Sequence, residues 1–199
     1  MKIGVFGGTF NPVHNGHIRL LDQVIGFAEL DRAIVLPDRI PPHKSAEDLA
    51  SGSDRLEMCR MAFSSIKKAE ISDWELLGEG KSYSVITLRH FHRIFPDDRL
   101  YFIMGSDMLS SFEQWYRYEE ILSLAGIICM SRSREDSAAM ESYAERLRKI
   151  GGEVILVPVE PMEISSSQIR NMLKKNEDCT CYLDKNVVQY IVENKLYCD

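Results

Sequence analysis

The sequence lacks three features that would place it in a special class of protein. No apolar run approaches the roughly 20 residues that a membrane-spanning helix needs, so no membrane partner is expected. The five cysteines are odd in number and scattered, and they do not form a disulfide or zinc framework. The N-terminal segment has neither the long apolar stretch nor the small-residue cleavage site of a secretory signal. We therefore expect reduced thiols and a cytoplasmic protein.

The sequence also has fewer positively than negatively charged residues. The 199 residues carry 24 Lys and Arg against 30 Asp and Glu, a formal net charge of −6. An acidic chain has no general attraction for nucleic acid or for an anionic lipid surface, and no nucleic-acid partner is expected. Any phosphate that this protein binds must therefore be held by a local arrangement of donors.

The chain shows no repeat, low-complexity tract or linker, and we expect a single domain over residues 1–199. Strand-like apolar runs alternate with helical patterns, which is typical of βαβ units. The expected fold class is α/β, a doubly wound, mostly parallel open sheet of the Rossmann-like kind. Strands are predicted at about 2–6, 32–36, 69–73, 99–104, 126–130 and 153–157. Two further helices are predicted at about 165–175 and 184–195, and we expect the segment 165–197 to complete the site.

Local signals mark the ends of several predicted helices. Ser53 and Ser137 are expected to be N-caps, and Gly151-Gly152 is expected to end the helix before the last strand. In a doubly wound sheet the first and fourth strands lie side by side, and ligands bind at their carboxyl ends. The residues after these two strands are therefore the first candidates for a functional site.

The residues after the first strand read GGTFNPVHNGH, at positions 7–17. Glycines let the backbone turn sharply and approach a ligand, and a helix N-terminus offers free N–H groups with partial positive charge. A single histidine there is usually an ordinary surface residue. Two histidines, His14 and His17, framed by glycines favour a polyphosphate-binding turn. The spacing of Gly4, Gly7 and Gly8 differs from GxGxxG, which disfavours a dinucleotide-dependent dehydrogenase.

Four other segments offer candidate ligand-binding groups, each with a plainer alternative. The sequence ISSSQIR at 164–170 is either a second anion site or a serine-capped helix. Asp107, in GSD after the fourth strand, is expected to face the same crevice as His14 and His17, or to cap a helix. The pair WY at 115–116 could stack on a planar ring or belong to the core. The loop PDRIPPHK at 37–44 presents a histidine and a lysine, or is a surface loop.

These segments together resemble one family. GGTFNPxHxGH is similar to the signature of the HxGH nucleotidyltransferase superfamily and, more narrowly, of bacterial nicotinate-nucleotide adenylyltransferases. The segments PDRIPPHK, GSD with the following WY, and ISSSQIR resemble further motifs of that family, which carries Thr where this chain has Ser167. SYSVITL at 82–88 is similar too, although Ile86 stands where the family has Asp. The resemblance runs from Met1 to the helix at 187–197.

The resemblance implies that AMP is transferred from ATP to nicotinate mononucleotide, giving nicotinate adenine dinucleotide and pyrophosphate in NAD biosynthesis. Mg²⁺ is expected to arrive with ATP. The implied catalytic residues are His14, His17 and Arg170. The implied ATP-binding residues are Gly7, Gly8, Thr9, Phe10, Gly16, Gly105, Asp107, Ser165, Ser166, Ser167 and Ile169. The implied mononucleotide-binding residues are Asn11, His43, Lys44, Thr87, Trp115 and Tyr116, with Arg132 as a further candidate.

Several alternatives stay open at this point. The acceptor could be nicotinamide mononucleotide or phosphopantetheine, although the latter would not need Trp115 and Tyr116. A non-catalytic nucleotide-binding regulator with the same fold is a third reading, which intact His14, His17, Asp107 and Arg170 disfavour. The sequence leaves open whether the chain forms a homo-oligomer, what Ile86 changes, and what Cys179 and Cys181 do.

Overall fold

The computed structural model describes residues 1–39, 49–78, 80–131, 134–160 and 162–198. The strands are Lys2–Gly8 (β1), Arg32–Pro37 (β2), Ala69–Ile71 (β3), Arg99–Gly105 (β4), Gly126–Ser131 (β5) and Val154–Pro158 (β6). The helices are Asn15–Phe27 (α1), Gly52–Ala62 (α2), Trp74–Leu77 (α3), Ser84–Ile94 (α4), Ser106–Leu109 (α5), Tyr118–Leu124 (α6), Arg134–Lys149 (α7), Ser166–Lys174 (α8) and Lys185–Glu193 (α9). Each strand lies within a few residues of its predicted position, and both C-terminal helices are present.

The strands form one open sheet in the order β3-β2-β1-β4-β5-β6. The pairs β1–β4, β4–β5 and β5–β6 are parallel, and Val5 pairs with Phe102 in the middle of β1 and β4. The predicted α/β class and the predicted neighbours β1 and β4 are thus confirmed. The strand order reverses between these two strands, which is where open α/β sheets bind ligands.

Runs of buried residues without alternation occur in β1, β2, β4 and β5, as expected of a sheet covered on both faces. In β5, the residues Ile127, Ile128 and Cys129 are all buried. Helices α4, α6 and α7 pack on the strands β4, β5 and β6 and supply the cover. No helix in the described ranges is both long and apolar enough to cross a membrane.

Helix ends agree with the sequence in one case and differ in two. Gly151, with φ of +93°, follows α7 as a left-handed cap, and the N–H of Gly152 donates to Leu147 O at 2.9 Å. Helix α2 starts earlier than predicted because Ser51, not Ser53, is its N-cap and accepts from Asp54 N. The Ser137 prediction is also wrong, since α7 already begins at Arg134.

The chain divides into two compact units. The first unit consists of Met1–Gly7, Leu20–Ile34 and Tyr83–Pro161, and the second of Gly8–Arg19, Val35–Ser82 and Met162–Asp199. The candidate catalytic residues His14, His17 and Arg170 lie in the second unit. The candidate residues that follow β4, with Thr87, lie in the first unit. The single domain over residues 1–199 stays a prediction.

Candidate active site

The turn after β1 is built around a buried phenylalanine. Phe10 has a φ of +47°, which is uncommon for a residue other than glycine, and its side chain is almost fully buried. A Cβ placed on Gly8 would lie 2.8 Å from Phe10 Cζ, so only glycine lets the ring close over the backbone. The Phe10 ring meets the edge of His17, with 5.1 Å between ring centroids. Phe10 therefore supports the position of a predicted catalytic side chain.

The two predicted catalytic histidines lie against each other. Their ring centroids are 3.7 Å apart, with 34° between the ring planes. His14 is 6% exposed, and burial lowers its pKa to about 4, so its imidazole is neutral at pH 7. Its buried Nδ1 has no hydrogen-bond partner among the described residues. A Cβ on Gly16 would lie 2.9 Å from that Nδ1, so glycine at position 16 leaves room for the His14 ring.

His17 is oriented by the backbone of the same turn. The N–H of His14 donates to His17 Nδ1 at 3.2 Å. A ring nitrogen that accepts a hydrogen bond carries no proton, and this bond therefore assigns the proton of neutral His17 to Nε2. Nε2–H is a donor that can serve a bound anion.

Helix α1 begins at these histidines. The carbonyl of His14 accepts from the N–H of His17 at 2.8 Å and from that of Ile18 at 3.3 Å. The first-turn N–H groups of a helix have no intrahelical acceptor, and the helix dipole adds partial positive charge there. The donors predicted from GGTFNPVHNGH are thus placed at a helix start, as an anion site requires.

The predicted second anion segment is the start of α8. Ser165 forms a capping box with Gln168: its hydroxyl accepts from Gln168 N at 3.2 Å, and Gln168 Oε1 accepts from Ser165 N at 2.8 Å. The Ser165 hydroxyl therefore caps the helix, as the serine-capped alternative predicted. Ile169 is fully buried and anchors the helix. The first-turn N–H groups of α8 remain the donors suited to an anion.

Two side chains of α8 bind the turn after β1. Ser166 Oγ donates to the carbonyl of Pro12 at 2.9 Å. Arg170 Nη1 donates to the carbonyl of Asn11 at 2.8 Å, and its Nη2 lies 3.3 Å from Ser167 Oγ. Within the second unit the structure thus joins the predicted histidine segment to the predicted arginine segment, although 153 residues separate His17 from Arg170.

Asn11, a predicted mononucleotide ligand, is buried at 5% exposure. Its Oδ1 accepts from the N–H of Ala50 at 3.0 Å and from the hydroxyl of Tyr197 at 2.8 Å. An amide oxygen has two lone pairs, and both have protein donors here. The side-chain oxygen of Asn11 therefore holds the turn, and sequence reasoning assigned no part to Tyr197.

Arg55 is the main residue that sequence reasoning missed. Its side chain is 1% exposed, and its guanidinium donates to the carbonyls of Thr9 (2.9 Å), Asp38 (2.7 Å), Ala50 (3.1 Å) and Arg39 (3.3 Å). It thereby ties the turn after β1 to the residues after β2 and before α2. The available signal was its spacing: buried residues of α2 recur at 55, 58, 59 and 62, and one member of this apolar stripe is an arginine.

The loop after β2 takes part in the same arrangement. Asp38 Oδ2 accepts from Thr9 Oγ1 at 3.1 Å, and Asp38 Oδ1 lies 3.6 Å from Arg55 Nη1. The hydroxyl of Thr9, predicted to bind ATP, is thus engaged with Asp38. Gly7, in contrast, has nothing within 4 Å of where a Cβ would lie. The predicted ligands His43, Lys44 and Arg132 lie outside the described residues.

The candidate residues that follow β4 are more exposed. Asp107 lies in the first turn of α5, whose N-cap is Gly105, so the helix-cap alternative for Asp107 is wrong. Trp115 packs against Phe102 and Phe112, with ring centroids 5.9 and 5.5 Å apart, which fits the core alternative. The predicted meeting of Asp107 with His14 and His17 stays a prediction.

The other two candidates of the first unit differ sharply in exposure. Tyr116 is 53% exposed, and its ring centroid lies 5.2 Å from that of Tyr83. The guanidinium carbon of Arg117 lies over the Tyr116 ring, 5.5 Å from its centroid. Thr87 is buried within α4, while its neighbour Ile86 is exposed. Tyr116 therefore presents an aromatic face, and Thr87 offers at most its hydroxyl at a buried position.

Known proteins with similar sequences identify the family of this chain. The cytidylyltransferase-like family model matches residues 5–172. A "probable nicotinate-nucleotide adenylyltransferase" of Caldicellulosiruptor saccharolyticus is 35% identical over 197 residues, covering 99% of each chain. One of Carboxydothermus hydrogenoformans is 36% identical over 197 residues, covering 98% of each. The chain belongs to the nicotinate-nucleotide adenylyltransferase family.

Solved structures agree on the fold. The nicotinic acid mononucleotide adenylyltransferase of Plasmodium falciparum, complexed with NaAD, has a TM-score of 0.79 at 22% identity, covering 98% of this chain and 97% of that one. Its complex with APC has a TM-score of 0.76 at 20% identity. Within the nicotinate-nucleotide adenylyltransferase family, this chain thus keeps the doubly wound fold, and the family resemblance inferred from the motifs is confirmed.

Proposed function

We propose that this protein transfers the AMP unit of ATP to the phosphate of nicotinate mononucleotide, forming nicotinate adenine dinucleotide and pyrophosphate. The observation that carries the proposal is the joining, in the second unit, of the histidine turn to the start of α8 through Ser166 and Arg170. Two helix N-termini, a guanidinium and an assigned Nε2–H donor of His17 come from these two segments. Such a set suits a polyphosphate chain.

The acceptor phosphate is the nucleophile. A phosphate monoester has a second pKa of about 6, so it is largely a dianion at neutral pH and needs no general base. One of its oxygens forms a bond to the α-phosphorus of ATP, and the bond from that phosphorus to the bridging oxygen of the β-phosphate breaks. Catalysis then requires that the attacking oxygen, the α-phosphorus and the leaving oxygen lie in line. It also requires that charge on the leaving pyrophosphate is neutralised.

The residues proposed to bind the phosphates, most of them in the second unit, have defined parts in this proposal. His17 donates through Nε2–H, and neutral His14 donates one N–H, to the α- and β-phosphates. Arg170 and the first-turn N–H groups of Ser166 and Ser167 hold the departing end. The backbone at Gly7, Gly8 and Thr9 lets the triphosphate approach. Mg²⁺ enters with ATP as part of the substrate, because it prefers phosphate oxygens and water as ligands.

The residues of the first unit are proposed to serve the nucleosides. The exposed ring of Tyr116 and the partly buried Trp115 offer aromatic surface for the pyridine ring. Asp107 is exposed and suited to ribose hydroxyls. His43, Lys44, Thr87 and Arg132 keep their proposed mononucleotide roles. We further propose one domain over residues 1–199 and a cytoplasmic location, which the five free cysteines support.

The test measures pyrophosphate release with ATP and three acceptors side by side: nicotinate mononucleotide, its amide and phosphopantetheine. We expect the nicotinate compound to give the highest kcat/KM. Faster release with either of the other two would reassign the acceptor. ATP binding without pyrophosphate release from any acceptor would indicate the non-catalytic regulator instead.

A further inference from the structure

The last residues of the described chain reach the turn that follows β1. After α9, the N–H of Lys195 donates to Val192 O at 3.2 Å and that of Leu196 to Ile191 O at 3.0 Å, which closes the helix end. Tyr197 then has a φ of +62°, an uncommon conformation for a bulky residue. In this conformation its hydroxyl lies 2.8 Å from Asn11 Oδ1, a residue 186 positions earlier.

Asn11 connects this hydroxyl to the proposed catalytic groups. Its Oδ1 accepts from Tyr197 and Ala50, while its backbone carbonyl accepts from Arg170 Nη1. Asn11 also precedes His14 by three residues on the same turn. A shift of Asn11 therefore moves the acceptor that holds Arg170 and the chain that carries His14.

The Tyr197 hydroxyl is suited to be a fixed donor. It is largely buried, and burial raises its pKa well above the usual range for tyrosine. It therefore stays protonated wherever the enzyme works. The second acceptor site of Asn11 Oδ1 is filled by a backbone N–H, so the hydroxyl occupies the remaining one.

We propose that Tyr197 is a positioning residue: its hydroxyl fixes Asn11, and through Asn11 it sets the places of Arg170 and of the His14–His17 turn. This inference rests on the proposed function. Loss of the hydroxyl lets the turn relax, and in-line transfer is sensitive to small misplacements of its aligning groups.

The test compares two variants that each remove one tyrosine hydroxyl from the second unit. Tyr197→Phe removes the bond to Asn11. The matched control is Tyr190→Phe, which removes the bond from α9 to Asp54 Oδ1 at 3.0 Å, away from the turn. We expect Tyr197→Phe to lower kcat about three- to tenfold, the usual worth of one hydrogen bond, with KM for the mononucleotide within about twofold. Tyr190→Phe is expected to leave kcat unchanged, while both variants lower the thermal midpoint alike.

A double-mutant cycle separates positioning from a general loss of stability. Tyr197→Phe and Arg170→Lys are expected to be non-additive in kcat because both act through Asn11, whereas Tyr190→Phe and Arg170→Lys are expected to add. Equal kcat for the two tyrosine variants, or an additive Tyr197–Arg170 cycle, would overturn the inference while leaving an active wild type. A wild type without pyrophosphate release would overturn the proposed function itself and the inference with it.

Discussion

The turn after β1 and the segment after β4 both follow central strands of the sheet, yet their side chains are held very differently. In the turn, Thr9, Asn11 and Pro12 accept hydrogen bonds from residues far away in the sequence. After β4, α5 has four residues and no side-chain cap bond, and Tyr116 is 53% exposed. Groups that align a phosphate chain need fixed positions. An aromatic side chain that stacks on a planar ring contributes nearly the same binding free energy after small displacements.

The largest expected effect comes from removing a donor of the firmly held turn. His17→Ala is expected to lower kcat by about 10²–10³-fold with the fold intact, because a preorganised donor at the site of developing charge is lost. Steady-state pyrophosphate release measures kcat, and circular dichroism measures whether the fold is intact. His92→Ala, at an exposed position of α4, is the control. A kcat near that of the control would remove His17 from the proposed mechanism.

The second prediction weakens the framework of the turn. Arg55→Met leaves buried carbonyls without a donor, and we expect the free energy of unfolding to fall by about 3 kcal/mol. Chemical denaturation measures it. Arg60→Met, at an exposed ion pair with Glu57 on the same helix, should cost less than about 1 kcal/mol. Similar losses for the two variants would show that the bonds of Arg55 contribute little.

The third prediction uses the buried His14. Its pKa is lowered from 6.5 to about 4 in the folded chain, so between these pH values the unfolded chain binds a proton that the folded chain does not. The free energy of unfolding should therefore fall as pH drops from about 6.5 to about 4, by up to about 3 kcal/mol from this group. His14→Gln, which cannot titrate, should show a correspondingly flatter pH profile. Parallel profiles for wild type and variant would contradict the burial effect.

The smallest expected effect lies in the exposed segment. Tyr116→Ala is expected to raise KM for nicotinate mononucleotide about five- to tenfold, with kcat within twofold, because an aromatic contact is worth about 1 kcal/mol. Tyr116→Phe keeps the ring and should match the wild type. If Tyr116→Ala lowered kcat as strongly as His17→Ala, the contrast between the two segments would be wrong.

Local patterns were sufficient for the fold and for part of the site. Apolar runs placed the six strands, and the position of GGTFNPVHNGH and ISSSQIR at helix starts was readable from glycine, serine and histidine types. The hydrogen bonds that hold the site together could not be predicted from the sequence. Arg55 binds Thr9, 46 positions away, and Tyr197 binds Asn11, 186 positions away. Periodicity carries no information on which distant backbone oxygen a donor will meet.

Two predicted helix N-caps were wrong. Ser137 was expected to cap α7, but that helix already begins at Arg134. Ser53 was expected to cap α2, but Ser51 satisfies the Asp54 N–H instead. Around both helix starts several residues of N-cap type stand close together in the sequence, so residue type alone does not identify the cap.

The four oxygens that accept hydrogen bonds from Arg55 are main-chain carbonyls, which every amino acid carries, and the Asp38 carboxylate adds an ion pair at 3.6 Å. Exchanging the side chains at Arg39 or Ala50 leaves those acceptors in place, while no other residue type reproduces the planar fork of a guanidinium. Saturation mutagenesis should thus show that position 55 tolerates few residues, while positions 39 and 50 accept many more.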